Sequence, residues 1–315
     1  MPCQMPKPEI VFVGGGPDWY VRRFAEDFTL HRLPDGDAGA LAEDVRKRVR
    51  ALLAAGPVTE RLISALPNLA MIANAGAGYD KIDMEAAARR SIAVTNTPDV
   101  TDDCVADMAL ALLLAVARDI VVGDRFVRAG KWMEGSYPLV RKIGGRKVGI
   151  LGMGRIGRAI AKRAAAFGMV VGYHNRRAVP DSAHTYFDSL NGLAAWADVL
   201  VVACPGGDAT YHLVDGKVLE ALGSAGIVVN ISRGTVIDEG ALIDALERRV
   251  IAGAGLDVFE KEPEVPERLI RLDNVVLMPH RGGGTIETWE DACDLAKANL
   301  SAFFEGRPLP TPIRD

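Results

Sequence analysis

The sequence predicts an α/β fold of two doubly wound parallel sheets, one domain inserted into the other. Three observations carry this expectation. Short β-rich apolar runs alternate with helical stretches from end to end, the rhythm of parallel sheets covered by helices on both faces. The 315 residues, 49% of them hydrophobic, suffice for two cores. Lys147 to His174 reads as strand, glycine turn, helix and strand, the unit from which such sheets are wound.

Taken in order, Glu9–Val13 is the first strand. Gly14-Gly15-Gly16-Pro17 after it is a plain βα turn, because it lacks later spaced glycines and Pro17 removes a donor. His31 falls on a loop. Arg50–Ala54 is a strand, and Val58–Leu66 a helix with Thr59 near its start and Pro67 as its stop. Ala70–Ala73 is a strand opening into the loop Asn74-Ala75-Gly76-Ala77-Gly78-Tyr79-Asp80. Asp83–Arg90 is a helix, Ile92–Thr95 a strand, and Asn96-Thr97-Pro98-Asp99 a hinge. Thr101 or Asp102 caps a long helix running to about Ile120. Val121–Ala129 is a further helix stopped by Gly130, and Lys131–Gly145 a loop carrying Trp132, Tyr137 and Pro138. Then come strand Asp198–Cys204, helix Lys217–Leu222, strand Gly226–Ile231, helix Glu239–Arg249, and strands Ala252–Asp257 and Asn274–Met278. A final amphipathic helix, Thr285–Glu305, packs back on the first domain. The expected domains are residues 1–98 plus 286–315, and residues 99–285.

Within the central unit, Gly152-Met153-Gly154-Arg155-Ile156-Gly157 follows a strand and opens a helix, which makes it a dinucleotide fingerprint. Gly152 allows the tight turn, Gly154 lets a pyrophosphate approach the backbone, and Gly157 lets helix and strand pack closely. The helix N-terminus offers free N–H groups to phosphates. An NAD site places an acid after the second strand to hold the ribose 2′-OH. Here Asn175-Arg176-Arg177 stands there, with no carboxylate before Asp181. Two guanidiniums suit a 2′-phosphate, which points to NADP(H).

The formal charge, 37 − 41 = −4, gives no support for nucleic-acid or membrane binding. The apolar run Met108–Ala117, bounded by Asp107 and Arg118, is too short to span a bilayer and reads as a buried helix. Met1 to Pro8 holds no apolar signal core. Cys3, Cys104, Cys204 and Cys293 show no metal or disulfide spacing, which fits a reducing cytoplasm and no metal site.

Three further stretches follow strands of the nucleotide domain: Asn230–Gly234, Gly255–Pro263 and Pro279–Gly284. Ligands of open α/β sheets sit at the carboxyl ends of strands. Arg233, Glu262 and His280, carried by these stretches, suit reduction of a 2-oxo acid. The arginine clamps a carboxylate and polarises the neighbouring carbonyl. The histidine donates a proton as hydride arrives, and the carboxylate orients the histidine. Read singly, His280 is equally compatible with a structural role, and Arg233 and Glu262 with surface ion pairs. No G-x-S-x-G elbow or H-E-x-x-H spacing offers a competing chemistry.

Through these motifs the chain resembles, over essentially its full length, the D-isomer-specific 2-hydroxyacid dehydrogenases, and most nearly the NADPH-preferring glyoxylate/hydroxypyruvate reductases. The resemblance implies a Rossmann domain inserted in a flavodoxin-like substrate domain. It implies Arg233, Glu262 and His280 as the catalytic set, and Gly76-Ala77-Gly78 as a backbone cradle for the substrate carboxylate. It extends the cofactor site from Gly152, Gly154, Gly157, Asn175, Arg176 and Arg177 to Arg155, Ile156, Cys204, Pro205, Ile231, Ser232, Gly282 and Gly283, with Asp257 at the nicotinamide carboxamide. It implies a homodimer in which Trp132 reaches the neighbouring subunit's site. Departures are Gly283 where Ser or Ala is common, Gly207 in place of Thr, and Arg281 directly after the histidine; these bear on substrate preference. The chain ends soon after its last helix, without the C-terminal regulatory extension common in phosphoglycerate dehydrogenases. Two rivals share the fold: a non-enzymatic dinucleotide sensor, and a dehydrogenase of another small acid such as formate, whose enzymes carry Gln where Glu262 stands.

Overall fold

The computed structural model describes residues 6–313, so Cys3 and most of the N-terminal stretch examined for a signal core lie outside the described residues. The chain divides into two compact units, one formed by residues up to Thr101 and from Thr285 onward, the other by Asp102–Gly284.

The first unit contains β1 (Glu9–Val13), α1 (Asp18–Ala25), β2 (Thr29–Leu33), α2 (Glu43–Arg48), β3 (Ala51–Ala54), α3 (Glu60–Ala65), β4 (Met71–Asn74), α4 (Met84–Arg89) and β5 (Ala93–Thr95). The sheet order is β2-β1-β3-β4-β5 with every pair parallel, the flavodoxin-like winding. The strands β3 and β4 are buried at every position, as central parallel strands covered on both faces must be. Helix starts follow side-chain caps. Thr59 Oγ1 accepts from the Leu62 amide at 3.3 Å and Asp83 Oδ1 from the Ala86 amide at 2.8 Å, each worth about 0.5–2 kcal/mol. The chain's last helix, Ile286–Phe304, starts at Thr285, whose hydroxyl accepts from the Thr288 amide. It lays Cys293, Ala296 and Leu300 against Phe12, Tyr20 and Leu53 of this unit. His31 is corrected from loop to strand. It lies in β2, with Nε2 2.9 Å from Glu9 Oε2 of β1.

The second unit contains α5 (Asp102–Ala117), α6 (Ile120–Arg128), β6 (Lys147–Leu151), α7 (Arg155–Ala166), β7 (Val170–His174), β8 (Thr185–Phe187), α8 (Leu190–Trp196), β9 (Val199–Val202), α9 (Gly216–Leu222), β10 (Ile227–Asn230), α10 (Glu239–Glu247), β11 (Gly253–Leu256), α11 (Glu267–Ile270) and β12 (Val275–Leu277). Its sheet order is β12-β11-β10-β9-β6-β7-β8, all parallel, so the winding reverses between β6 and β9. This is the Rossmann arrangement with an added edge strand. The apolar run after Asp107 is a buried helix segment, as expected. The glycines of β11 let α5 lie close, since a Cβ on Gly255 would stand 2.8 Å from Leu112 Cβ. The helix stops at Ala117 rather than near Ile120. Asp119 takes φ +50° and restarts the chain as α6. Among the described residues no helix is long and apolar enough to cross a membrane, and no cluster of three His, Cys, Asp or Glu could hold a metal.

Candidate active site

The glycine turn sits where the sheet winding reverses, after β6. Gly152 has φ +103°, and a Cβ there would stand 2.5 Å from the Cys204 amide nitrogen after β9. A Cβ on Gly157 would lie 2.1 Å from the Gly152 carbonyl oxygen. These two glycines therefore bring the β9 loop and α7 onto the turn. Gly154 differs: its Cβ would meet nothing within 4 Å, so it faces open space at the head of α7. The first intrahelical bond is Arg158 N–H to Gly154 O, which leaves the earlier amides of Ile156 and Gly157 without helical partners. That open face of amides is what a phosphate needs.

Asn175, at the end of β7, turns inward: its side-chain oxygen accepts the Met153 amide at 2.7 Å and pins the glycine turn. Arg176 and Arg177 are exposed and make no ion pair or hydrogen bond among the described residues. Two unneutralised guanidiniums thus stand beside the turn, suited to a phosphate dianion. Arg155, by contrast, is engaged by Asp102 at 3.2 Å. His174 Nδ1 lies 2.8 Å from the Phe187 carbonyl, tying β7 to β8.

The chemistry-bearing loops follow β10, β11 and β12. After β10, Asn230 is buried. Its carboxamide oxygen accepts from the Ser232 amide and its nitrogen donates to the Arg233 carbonyl, both at 3.0 Å. Ser232 Oγ donates to the Cys204 carbonyl, which ties this loop to the one after β9. Arg233 is half-buried and donates to the Ser232 carbonyl at 2.8 Å. Its stem crosses Gly206, where a Cβ would stand 2.5 Å from Arg233 Cγ. Gly234 then meets the loop after β11 backbone to backbone; a Cβ there would fall 1.9 Å from the Phe259 carbonyl carbon. Any other residue would push apart the loops carrying Arg233 and Glu262.

Glu262 Oε2 and Oε1 lie 2.8 and 3.0 Å from His280 Nδ1, and Oε1 also accepts from the Phe259 amide at 3.3 Å. A carboxylate is acceptor-only when ionised, so Nδ1 carries the shared proton and Nε2 is the atom left for other work. His280 adopts φ +52°, a left-handed conformation that costs a non-glycine residue about 1–3 kcal/mol. Asp257 holds it there. The two Asp257 carboxylate oxygens accept the amides of Arg281 (2.6 Å) and Gly282 (2.7 Å), and its carbonyl accepts the His280 amide at 2.8 Å. Burial pushes the Asp257 carboxyl above its ordinary pKa, against the pull of those two amides. Each Asp257 oxygen thus already accepts one amide of the His280 loop. Cys204 is buried and its thiol is pushed up to about 11 by that burial. Pro205 beside it is exposed, and Ile231 is buried.

In the first unit, the loop after β4 has the carbonyls of Gly76, Ala77 and Gly78 engaged. Asn74 Nδ2 donates to Gly76 O (2.7 Å) and Gly78 O (2.9 Å), and Asn96 Nδ2 to Ala77 O (2.7 Å). The amides of Gly76, Ala77 and Gly78 donate to nothing among the described residues. Carbonyls tied back and amides free make an anion cradle. Trp132 stands 67% exposed in a single 3₁₀ turn, Lys131–Met133. The bracing roles of Asn74, Asn230 and Gly206 were not read from the sequence; they depend on loops meeting in space. Only the recurrence of Asn at the end of a buried strand hinted at them.

Comparison with known proteins agrees with this architecture. Residues 110–282 match the NAD-binding domain of the D-isomer specific 2-hydroxyacid dehydrogenases. A glyoxylate/hydroxypyruvate reductase A of Arabidopsis thaliana is 47% identical over 279 residues, 88% of this chain and 89% of that one. A 2-ketogluconate reductase of Gluconobacter oxydans is 42% identical over 309 residues, covering 98% and 99%. The crystal structure of an NADPH-dependent glyoxylate/hydroxypyruvate reductase of Sinorhizobium meliloti, in complex with NADP and malonate, superposes with a TM-score of 0.93 at 41% identity, covering 98% of this chain and 97% of that one.

Proposed function

Because the chain belongs to the D-isomer specific 2-hydroxyacid dehydrogenase family, a family of nicotinamide-dependent oxidoreductases, we propose that it reduces a small 2-oxo acid of the glyoxylate or hydroxypyruvate type to the D-2-hydroxy acid. NADPH is the preferred reductant and NADH the poorer one. The observation that carries this reading is the Glu262–His280 contact, made on one edge of the sheet beside the loop that bears Arg233. The names of the relatives support the substrate class, and the NADP complex of the Sinorhizobium enzyme supports the dinucleotide.

When bound, the dinucleotide supplies the hydride. Every other task falls to the chain. Glu262 fixes the His280 ring through Nδ1, so that Nε2 delivers the proton to the carbonyl oxygen. Arg233 meets the substrate carboxylate and polarises the carbonyl beside it. The free amides of Gly76, Ala77 and Gly78 supply a second hold on that carboxylate. The turn Gly152–Gly157, with the amides of Arg155 and Ile156, takes the pyrophosphate, and Arg176 and Arg177 take the 2′-phosphate, with Asn175 bracing from behind. Cys204, Pro205, Ile231, Ser232, Gly282 and Gly283 contribute to the cofactor site, and Asp257 contacts the nicotinamide carboxamide. Residues 99–285 serve the cofactor, and residues 1–98 with 286–315 the substrate. The chain works as a homodimer, and the exposed Trp132 is the residue offered to the neighbouring subunit.

The test is a panel of 2-oxo acids assayed with NADPH. Glyoxylate or hydroxypyruvate turns over, and His280→Ala lowers kcat by about 10²–10⁴-fold. A chain inactive on every 2-oxo acid yet binding NADPH would be a sensor instead.

A further inference from the structure

A second histidine of the nucleotide-binding unit also faces carboxylates. His212 lies half-buried in the loop between β9 and α9. Its Nε2 stands 3.4 Å from Glu260 Oε2 and its Nδ1 3.9 Å from Asp238 Oδ2. An ionised carboxylate only accepts, so Nε2 donates in the Glu260 contact. Tyr211 stacks on the imidazole, with ring centroids 3.9 Å apart and planes 15° from parallel. The backbone at His212 takes φ +48°, a left-handed conformation that a residue with a Cβ keeps only where its surroundings enforce it, most often at a site of function.

The surroundings of His212 are the loops that carry the reacting groups. Its amide donates to the Thr235 carbonyl at 2.8 Å, two residues after Arg233. The same two segments are joined again by Val214 N–H to Val236 O and Asp238 N–H to Val214 O, both at 3.0 Å. Asp238 Oδ1 caps α10 by accepting the Ala241 amide at 3.0 Å, while Oδ2 turns to the imidazole. The imidazole in turn meets Glu260, two residues before Glu262. Glu260 is held from a further element, since its amide donates to Glu239 Oε1 of α10 at 3.1 Å. Backbone therefore ties His212 to the Arg233 loop, and side chain ties it to the Glu262 loop. Arg233 and His280 have to act on one small acid, the first on its carboxylate and the second on its carbonyl oxygen, and a misplacement of about 1 Å can cost ~10²-fold in rate. We propose, on the footing of the reductase reading above, that His212 is a positioning residue: by bonding both loops at once it sets the spacing between Arg233 and the Glu262–His280 pair.

His212→Asn tests this directly. Asparagine tolerates the left-handed backbone but is too short to reach Glu260, whereas His212→Gln returns an N–H near the Nε2 position. In glyoxylate reduction with NADPH, His212→Asn lowers kcat about 5–50-fold and raises KM for glyoxylate, while KM for NADPH stays within about twofold. His212→Gln recovers most of the loss. A mere loss of folded enzyme would lower the apparent kcat without raising KM, and melting curves check each fold. Glu260→Ala gives the same split, and adding it to His212→Asn costs no more than about twofold further, because the two changes break one contact. A wild-type chain inactive on every 2-oxo acid refutes the reaction but not the joint. The joint is then read by hydrogen exchange in the NADPH complex: residues 258–264 exchange at least ~5-fold faster in His212→Asn, and residues 170–174 do not change. Wild-type kcat and KM in His212→Asn of an active chain, fully additive losses with Glu260→Ala, or unchanged exchange over residues 258–264 overturns the proposal.

Discussion

The two units each begin their sheet with a buried strand that ends in a glycine turn, and only one of those turns is built to hold a phosphate. After β1, Gly14 takes φ +89°, and a Cβ there would stand 2.7 Å from the Gly56 amide nitrogen after β3. After β6, Gly152 takes φ +103° against Cys204 in the same manner. The first glycine therefore does one job in both units, letting the loop of the next strand across the switch point pass over the turn. The difference begins two residues later. Pro17 occupies the N-cap of α1, Asp18 puts a negative charge in its first turn, and Tyr20 fills the space beside Gly16. Gly154 instead leaves open space, Gly157 admits α7, and no acid stands in the first turn of α7. The following strands diverge likewise: β2 runs out into Pro34-Asp35, whereas β7 runs out into Asn175 and two arginines without an ion pair among the described residues. A glycine turn thus supplies chain geometry by itself, and becomes a phosphate site only where empty space and positive charge are added.

The sharpest way to break this comparison is a methyl group placed in each turn. Gly157→Ala puts a Cβ 2.1 Å from a backbone oxygen, whereas Gly16→Ala meets only aromatic side chains, Tyr20 at 3.3 Å, Phe12 at 3.7 Å and Trp289 at 3.9 Å. Overpacking against backbone costs about 1–3 kcal/mol or more, so Gly157→Ala raises the NADPH dissociation constant at least ~100-fold or lowers the melting temperature by several degrees. Gly16→Ala leaves dinucleotide affinity unchanged. Equal effects in calorimetry and thermal melting would dissolve the distinction between the turns.

The next effect in size is charge. Arg176→Ala removes a guanidinium that no described residue neutralises, and charge-assisted hydrogen bonds contribute ~1.5–3 kcal/mol each. KM for NADPH rises roughly 10–100-fold while KM for NADH stays nearly constant, as steady-state kinetics with both cofactors would show. Asn175→Ala acts on the turn itself. It leaves the Met153 amide unpaired, so affinity for both dinucleotides falls together, by about 3–10-fold; a fall confined to NADPH would instead make Asn175 a 2′-phosphate ligand. The smallest effect concerns Cys204. Its pKa near 11 keeps it a thiol at pH 8, because the group loses its proton only well above that pH. A disulfide reagent therefore labels it slowly at pH 8 and faster as pH rises toward 11, and rapid labelling of Cys204 at pH 8, read by mass spectrometry, would show that the loop after β9 is open.

Much of this was legible in the sequence for a physical reason. Buried parallel strands such as Ala51–Ala54 and Ile227–Asn230 are continuous apolar runs, and the spaced glycines of β6–α7 follow from steric necessity. Of the edge strands, β5 and β12 were legible as Ile92–Thr95 and Asn274–Met278, but β2 and β8 were not. The strand β2 carries His31 and Arg32, and β8 is three residues long, so neither shows a clean pattern. The short helices α1, α2, α8 and α11 were passed over as well. The helix break, expected between Ile120 and Val121, falls at Asp119 instead, where neither glycine nor proline marks it. In the candidate site, residue types and the family resemblance suggested Arg233, Glu262 and His280. The left-handed turn at His280 and the amides that Asp257 accepts to hold it became visible only once separate loops were seen to meet.

The most direct measurement is kcat/KM for glyoxylate and hydroxypyruvate with NADPH and NADH side by side. The account predicts turnover of at least one acid with a preference for NADPH of roughly 10- to 1000-fold, and loss of most activity in His280→Ala. Equal or higher efficiency with NADH would contradict the role given to Arg176 and Arg177. An active His280→Ala would contradict the proton transfer on which the proposed reaction rests.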